Sequence, residues 1–243
     1  MIKEAIEKLV SLNPNPIEIK EIGDRKFSNV GMVEIKPPGF SFPDPVVFSQ
    51  LSGLVYFAKD LKSKIDDHIM IIIENPAMVS LQGALQPKNQ NSRFVYAIAQ
   101  LKFKPFRFGD FMSIEDAVIG IQALFFRDGK CEAILDLLSN IADEQVVTLN
   151  DSGMSQKVHI KTGITTKSAT EVPKTVSATP YRTFPEVEQV ESDFILRFRK
   201  SSGGSLSCAL FEADGGAWKI KAITDIASYL ITCLKGEEIP VIA

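Results

Sequence analysis

Five consecutive apolar residues, Ile69-Met70-Ile71-Ile72-Ile73, four of them isoleucine, stand between His68 and Glu74. The run is far short of the roughly 18 residues that a membrane-crossing helix needs. Isoleucine is branched at Cβ and packs well on a pleated surface, so a run this short and this branched predicts a central strand over 68–74. A central strand requires a sheet around it, and the flanking sequence supplies candidates on both sides.

Upstream, residues 3–12 place Ala5, Ile6, Leu9 and Val10 on one helical face, and Asn13-Pro14-Asn15-Pro16 stops that helix. Ile17 to Ile22 alternates apolar and charged residues as a half-buried strand does, and Val33 to Lys36 repeats the pattern. After a Pro/Gly/Phe loop over 37–45, Val47, Leu51, Leu54, Val55, Ala58 and Leu61 follow helical spacing, which predicts a helix over 46–64. Downstream, Val79–Leu85 and Arg93–Leu101 read as strands joined through a polar turn at 87–92. Ser113-Ile114-Glu115-Asp116 opens a helix, because a serine can cap the first turn and two acids suit the positive end of the helix dipole. That helix runs through Leu124, and Asp128-Gly129 separates it from a second one ending near Leu138.

Beyond Asp143 the character changes. Thr and Ser occupy nine positions between Thr162 and Thr183, and the stretch from Met154 to Arg182 holds five basic residues against one acid, Glu171. Lys157-Val158-His159-Ile160-Lys161 alternates like a strand, and Phe194–Arg199 with Leu206–Phe211 reads as a hairpin. A final amphipathic helix over Ala217–Leu234 carries Ile220, Ile223, Ile226, Ala227 and Leu230 on one face. The fold class predicted is α+β, with mostly antiparallel sheets, several amphipathic helices and an extended Thr/Ser/Lys-rich β region in the C-terminal half. A boundary near residue 143 would give an α+β domain over 1–143 and a β-rich segment over 144–243. The closing helix offers the alternative, in which the second half packs back on the first as one domain.

The formal charge of −3 excludes a protein that binds nucleic acid over its whole surface, though not a local basic patch. Cys131, Cys208 and Cys233 are widely spaced and make no C-x-x-C pair, which predicts reduced, buried thiols. The opening residues Met1–Glu7 lack the apolar core of a signal peptide, so the expectation is a cytoplasmic protein without a membrane partner. No P-loop, dinucleotide-binding glycine pattern or nucleophile elbow is present, and His68 and His159 are too few for a multi-histidine zinc site. No cofactor, no metal and no catalytic residue is therefore assigned. Asp214-Gly215-Gly216 could present amide groups to an anion, but Asp214 is better read as capping the last helix itself.

In Leu101–Phe108, Phe103, Phe106 and Phe108 interleave with Lys102, Lys104 and Arg107. Single-stranded nucleic-acid platforms use this chemistry, with rings stacking on bases while cations hold phosphates. The competing reading turns Phe103 toward a core and the bases toward water. Pro105 makes the segment an edge or a break and suits both.

The order of elements from Phe111-Met112-Ser113-Ile114-Glu115-Asp116-Ala117 through Lys161-Thr162-Gly163, Pro180-Tyr181-Arg182-Thr183-Phe184 and Asp193–Arg199 to the closing helix resembles the YfdQ-like family of phage and prophage proteins. The likeness covers about residues 60–235. It implies a phage accessory protein made in the bacterial cytoplasm and carries no site residue with it. Three functions follow as expectations. The first is a non-enzymatic accessory protein that self-assembles into a homo-oligomer and acts by binding. The second is a single-stranded nucleic-acid-binding protein using residues 101–108. The third is an enzyme built from scattered carboxylates such as Glu74, Asp110 and Asp193.

Overall fold

A computed structural model of the chain describes residues 8, 19–22, 25–28, 44–65, 68–86, 92–142, 145–151, 156–162, 165–200 and 206–243, with backbone alone for 22, 25, 142, 145–151, 156–162 and 165–171. The chain forms two compact units, Met1–Pro43 with Gln86–Ser92, and Asp44–Leu85 with Arg93–Ala243. In the first unit β1 (Ile19–Ile22) pairs antiparallel with β2 (Arg25–Ser28), and Lys26 Nζ lies 2.9 Å from Glu21 Oε1 across the pair. The strand expected over 17–22 is present as β1. The helix expected over 3–12, apart from helical Lys8, and the strand expected over 33–36 lie outside the described residues.

The chain continues through β3 (Val46–Phe48), α1 (Leu51–Lys62), β4 (Met70–Asn75), β5 (Met78–Gln86), β6 (Ser92–Gln100), β7 (Met112–Ser113), α2 (Ile114–Leu124), α3 (Gly129–Ala142), β8 (Gln145–Asp151), β9 (Gln156–Thr162), β10 (Thr165–Val172), β11 (Val176–Ala178), β12 (Ser192–Lys200), β13 (Leu206–Glu212), α4 (Ala217–Cys233) and β14 (Val241–Ile242). The isoleucine run is a central strand as expected. It forms β4 in a five-stranded sheet of order β14-β4-β5-β6-β3. Ile71 and Ile73 face Val79, Leu81, Ala97 and Ala99 in a core closed by Leu54 and Ala58 of α1 and by Ile226 and Leu230 of α4.

One boundary differs from the sequence reading. Val46–Phe48 is not the first turn of a helix but an edge strand parallel to β6, with Val46 opposite Ala97. Its residues are β-branched or aromatic, and the ladder to β6 wins over the continued helical spacing. Gly53 records the resulting squeeze, since a Cβ there would come within 2.8 Å of the Phe48 ring.

A second core lies against the antiparallel sheet β11-β12-β13-β7, whose inner face is covered by α2 and α3. Strict alternation along β12 turns Phe194, Leu196 and Phe198 inward and Arg197 and Arg199 to the opposite face. Ser113 caps α2 as its sequence predicts, accepting from the Asp116 N–H at 3.0 Å, and Asp128 Oδ1 does the same for the Cys131 N–H at 2.8 Å. Ile121 and Leu138 share this core with Leu196 and Leu210, so residues on both sides of position 143 are packed into one another. The closing helix likewise returns to the N-terminal five-stranded sheet. Its inward face is Ala222, Ile226 and Leu230, whereas Ile220, expected on that face, is 72 % exposed. Two residues, about 200° of helical turn, separate Ile220 from Ala222, and the sheet selects the Ala222 phase.

The Thr/Ser/Lys-rich region forms a three-stranded antiparallel sheet, β10-β9-β8, in which His159 sits at the β9 position opposite Thr148 and Ala169. The chain is thus an α+β protein with mostly antiparallel sheets. Cys131 and Cys208 are buried and Cys233 half-buried; burial pushes the Cys208 thiol up to about 12, so it stays protonated at neutral pH. No helix among the described residues is long and apolar enough to cross a membrane.

Candidate functional site: an aromatic cleft with an acidic rim

Between β11 and β12 the chain makes a turn-rich excursion over residues 179–191 that is fastened at four places. Gln189 closes it on itself. Its Oε1 accepts from the N–H groups of Arg182 and Thr183 at 2.9 and 3.2 Å, and its Nε2 donates to the carbonyls of Thr183 and Phe184 at 3.3 and 3.1 Å. Thr183 Oγ1 donates to the Pro76 carbonyl at 2.7 Å, tying the excursion to the β4–β5 turn. Phe184, fully buried, plugs the core of the five-stranded sheet.

Glu186 supplies a helix cap from 134 residues away. Gln50, at the N-cap of α1, makes no side-chain capping bond, and Glu186 Oε1 instead accepts from the Ser52 N–H at 3.0 Å and from its hydroxyl at 3.2 Å. A carboxylate at a helix N-terminus satisfies an orphan donor and complements the dipole.

Arg182 is the fourth fastening and carries the segment's buried charge. Only 8 % exposed, it donates to Glu212 Oε1 at 2.7 Å, to Ser192 Oγ at 2.6 Å and to the Val190 carbonyl at 3.2 Å, with its guanidinium 4.0 Å from the Trp218 ring centroid. Burial pulls its pKa down while the Glu212 and Asp214 carboxylates oppose that pull. Arginine stays charged throughout. Ser192 Oγ in turn donates to Asp214 Oδ2 at 2.7 Å, and Asp214 Oδ1 accepts from the Gly216 N–H at 3.0 Å. Burial pushes Asp214 up, but bonds from Ser192 and from the Gly216 and Trp218 amides, with the Arg182 charge, hold it below its ordinary value. The N-cap of the last helix is Gly216, without a side-chain cap bond of the kind read for Asp214 in the sequence; Asp214, two residues earlier, instead takes amide bonds from Gly216 and Trp218 at the helix entrance. Gly216 adopts φ 84°, a left-handed conformation that favours glycine.

Fastened in this way, the excursion forms one wall of a cleft of about 910 Å³. Phe126 and Tyr181, 52 % and 40 % exposed, stand on the same wall. An antiparallel bridge, Phe125 to Pro180, with Phe126 N–H on the Thr179 carbonyl and Tyr181 N–H on the Leu124 carbonyl, both at 2.8 Å, fixes their spacing. Leu101 and Phe103 also line the cleft, as do Asp128, Glu188, Glu191 and Asp225 with one lining cation, Lys221. Lys221 Nζ lies 2.6 Å from Asp225 Oδ2, and Lys130 Nζ 2.6 Å from Glu191 Oε1. No hydrogen bond or ion pair of Glu188 is found among the described residues.

The residues considered for nucleic acid are divided by the structure. Lys102, Lys104 and Arg107 are exposed. Phe106 is 7 % exposed inside the second core, Phe108 stacks on Phe194 at 4.9 Å between centroids, and Phe103 faces the cleft. The three rings therefore do not form one surface, and Phe106 can meet a base only by leaving the core. Glu74, Asp110 and Asp193 sit exposed on β4, in the 101–111 connection and on β12, and Asp193 accepts from Ser177 Oγ at 2.6 Å. Among the described residues no three His, Cys, Asp or Glu side chains gather into a metal-binding group. Sequence reasoning missed Phe126, Glu188 and Gln189, because a cleft wall made from a helix end and an irregular excursion has no period to mark it. Searches against protein families, characterised proteins and solved structures found no match for this chain.

Proposed function

We propose that the chain is a phage or prophage accessory protein of the bacterial cytoplasm that acts by binding rather than catalysis and works as a homo-oligomer. The observation that carries the reading is the outer flank of α4. Ile220 and Ile231 are 72 % and 58 % exposed, and at about 100° per residue they fall within a narrow stripe with Thr224 and Ala227. The hydroxyls that would make this side polar are turned back on the helix, with Thr224 donating to the Ile220 carbonyl at 2.9 Å, Ser228 to that of Thr224 at 2.9 Å and Thr232 to that of Ser228 at 2.7 Å. Two copies crossing antiparallel about a two-fold axis would set Ile220 of each on Ile231 of the other, an isologous contact. The same arrangement brings Lys219 and Lys221 near the start of one helix toward Glu237 and Glu238 past the end of the other, where they outweigh Lys235.

Light scattering at micromolar concentration is expected to return at least a dimer, and Ile220→Glu with Ile231→Glu is expected to return a folded monomer with an unchanged circular dichroism spectrum. A single 26.8 kDa species for the unaltered chain rules out the homo-oligomer. The nucleic-acid reading gains nothing from the cleft, since phosphates entering beside Phe103 would face its acidic rim.

A further inference from the structure

We infer that the cleft beside residues 179–191 binds an extended, arginine-bearing segment of a partner protein; this rests on the reading of the chain as a binding protein and names the chemistry of what it binds. The walls come first. Exposed aromatic rings on a concave surface are costly to leave in water, and Phe126 and Tyr181 are held there by paired backbone hydrogen bonds. Their faces are already ordered, so a ligand that stacks on them loses little conformational freedom in the protein. A guanidinium is the cation best suited to such a face, because it is planar, weakly hydrated and stacks as well as pairs.

Charge selects the same ligand. Four carboxylates stand around the cleft against one lining lysine. Two of the four already hold an ammonium, Asp225 that of Lys221 and Glu191 that of Lys130. The walls therefore accept cations from this chain's own side chains. Both lysines and Glu191 are exposed and Asp225 is half-buried, and surface pairs of this kind are weak enough to be exchanged for an incoming fork that bonds a carboxylate through two N–H groups. Glu188, exposed and outside the described pairs, offers a carboxylate for a first guanidinium. At about 910 Å³ the cleft has room for several side chains of an extended segment, not just one. An acidic or phosphate-bearing ligand would meet the rim unfavourably, and a purely apolar one would leave the carboxylates to be dehydrated without a partner.

The test uses fluorescein-labelled hexa-arginine as probe, with anisotropy read at 50 and 300 mM salt on the full chain. Binding is expected at low salt and is expected to weaken at high salt. Tyr181→Ala and Glu188→Gln should each weaken it by about three- to tenfold. Tyr181→Phe should retain it, and Asp60→Asn, on the exposed end of α1, should leave it unchanged. Tyr181 and Glu188 are both exposed, so these variants are expected to fold, and their melting temperatures check it. The inference is overturned if hexa-arginine does not bind, or if Tyr181→Ala and Glu188→Gln bind as the unaltered chain does, which would mark mere attraction to an acidic protein. It is equally overturned if a labelled oligothymidine binds and loses affinity in Tyr181→Ala, which would make the cleft a nucleic-acid site. Light scattering on the same samples separates the two readings. A monomer that binds hexa-arginine through Tyr181 removes the oligomer and keeps the cleft, and a dimer that ignores the peptide does the reverse.

Discussion

Replacing Arg182 by alanine is expected to lower the stability of the chain by roughly 3–5 kcal/mol, the usual consequence of removing one partner of a buried, hydrogen-bonded charge pair. The loss has three parts. Glu212 and Ser192 lose the donors now at 2.7 and 2.6 Å, the Val190 carbonyl loses its contact at 3.2 Å, and the Trp218 ring loses the guanidinium 4.0 Å above it. Glu212 is 31 % exposed at its side chain and can turn to water, which places the effect toward the lower end of that range. Arg182→Lys should recover little, because an ammonium is a single point and cannot reach Glu212, Ser192 and the carbonyl together while also stacking. Arg182→Met with Glu212→Gln should recover more than either change alone, since it removes both charges and keeps volume. Urea unfolding at neutral pH checks the set; a loss below about 1 kcal/mol for Arg182→Ala would show the node to be marginal.

Most of the regular elements were legible from the sequence, because each buries one face on a fixed period. The isoleucine run, the Ser113 cap, the β12–β13 hairpin and the closing helix all follow from spacing and cap chemistry. The misread boundary at Val46 came from a segment whose apolar positions fit both periods, and only pairing with β6 decides between them. Ile220 fits the apolar face of its helix by spacing alone, and the phase was set by what the sheet had room for. The cleft was less legible. Its side chains come from the connection after β6, the end of α2, the start of α3, the 179–191 excursion and the flank of α4, and what holds the excursion in place is Gln189, Thr183, Glu186 and Arg182 acting as fasteners. Polar residues in a nonperiodic stretch look alike in sequence whether they fasten or float.

Residues 101–108 show the same ambiguity and admit a sharp test, because one ring of the three is in the core. Phe106→Ala is expected to cost roughly 3–5 kcal/mol, the range for emptying a buried phenylalanine site. The ring is 7 % exposed, touches Phe108 and Phe125 at 5.1 Å between centroids, and lies on Gly120 of α2 so closely that a Cβ there would be 3.0 Å from Phe106 Cε2. That contact makes a double-mutant cycle informative. Gly120→Ala alone gains helix propensity of about 1 kcal/mol but must push against the Phe106 ring. In a Phe106→Ala background the obstruction is gone and the new methyl begins to fill the cavity. Gly120→Ala should therefore be more stabilising there than in the unaltered chain, with a coupling on the order of 1 kcal/mol. Additive effects would show that the ring does not rest on Gly120. Single-stranded DNA titrated into the same variants is expected to show no binding in any of them. Tight, salt-dependent binding by the unaltered chain that Lys102→Ala and Lys104→Ala weaken would instead favour the nucleic-acid function over the one proposed.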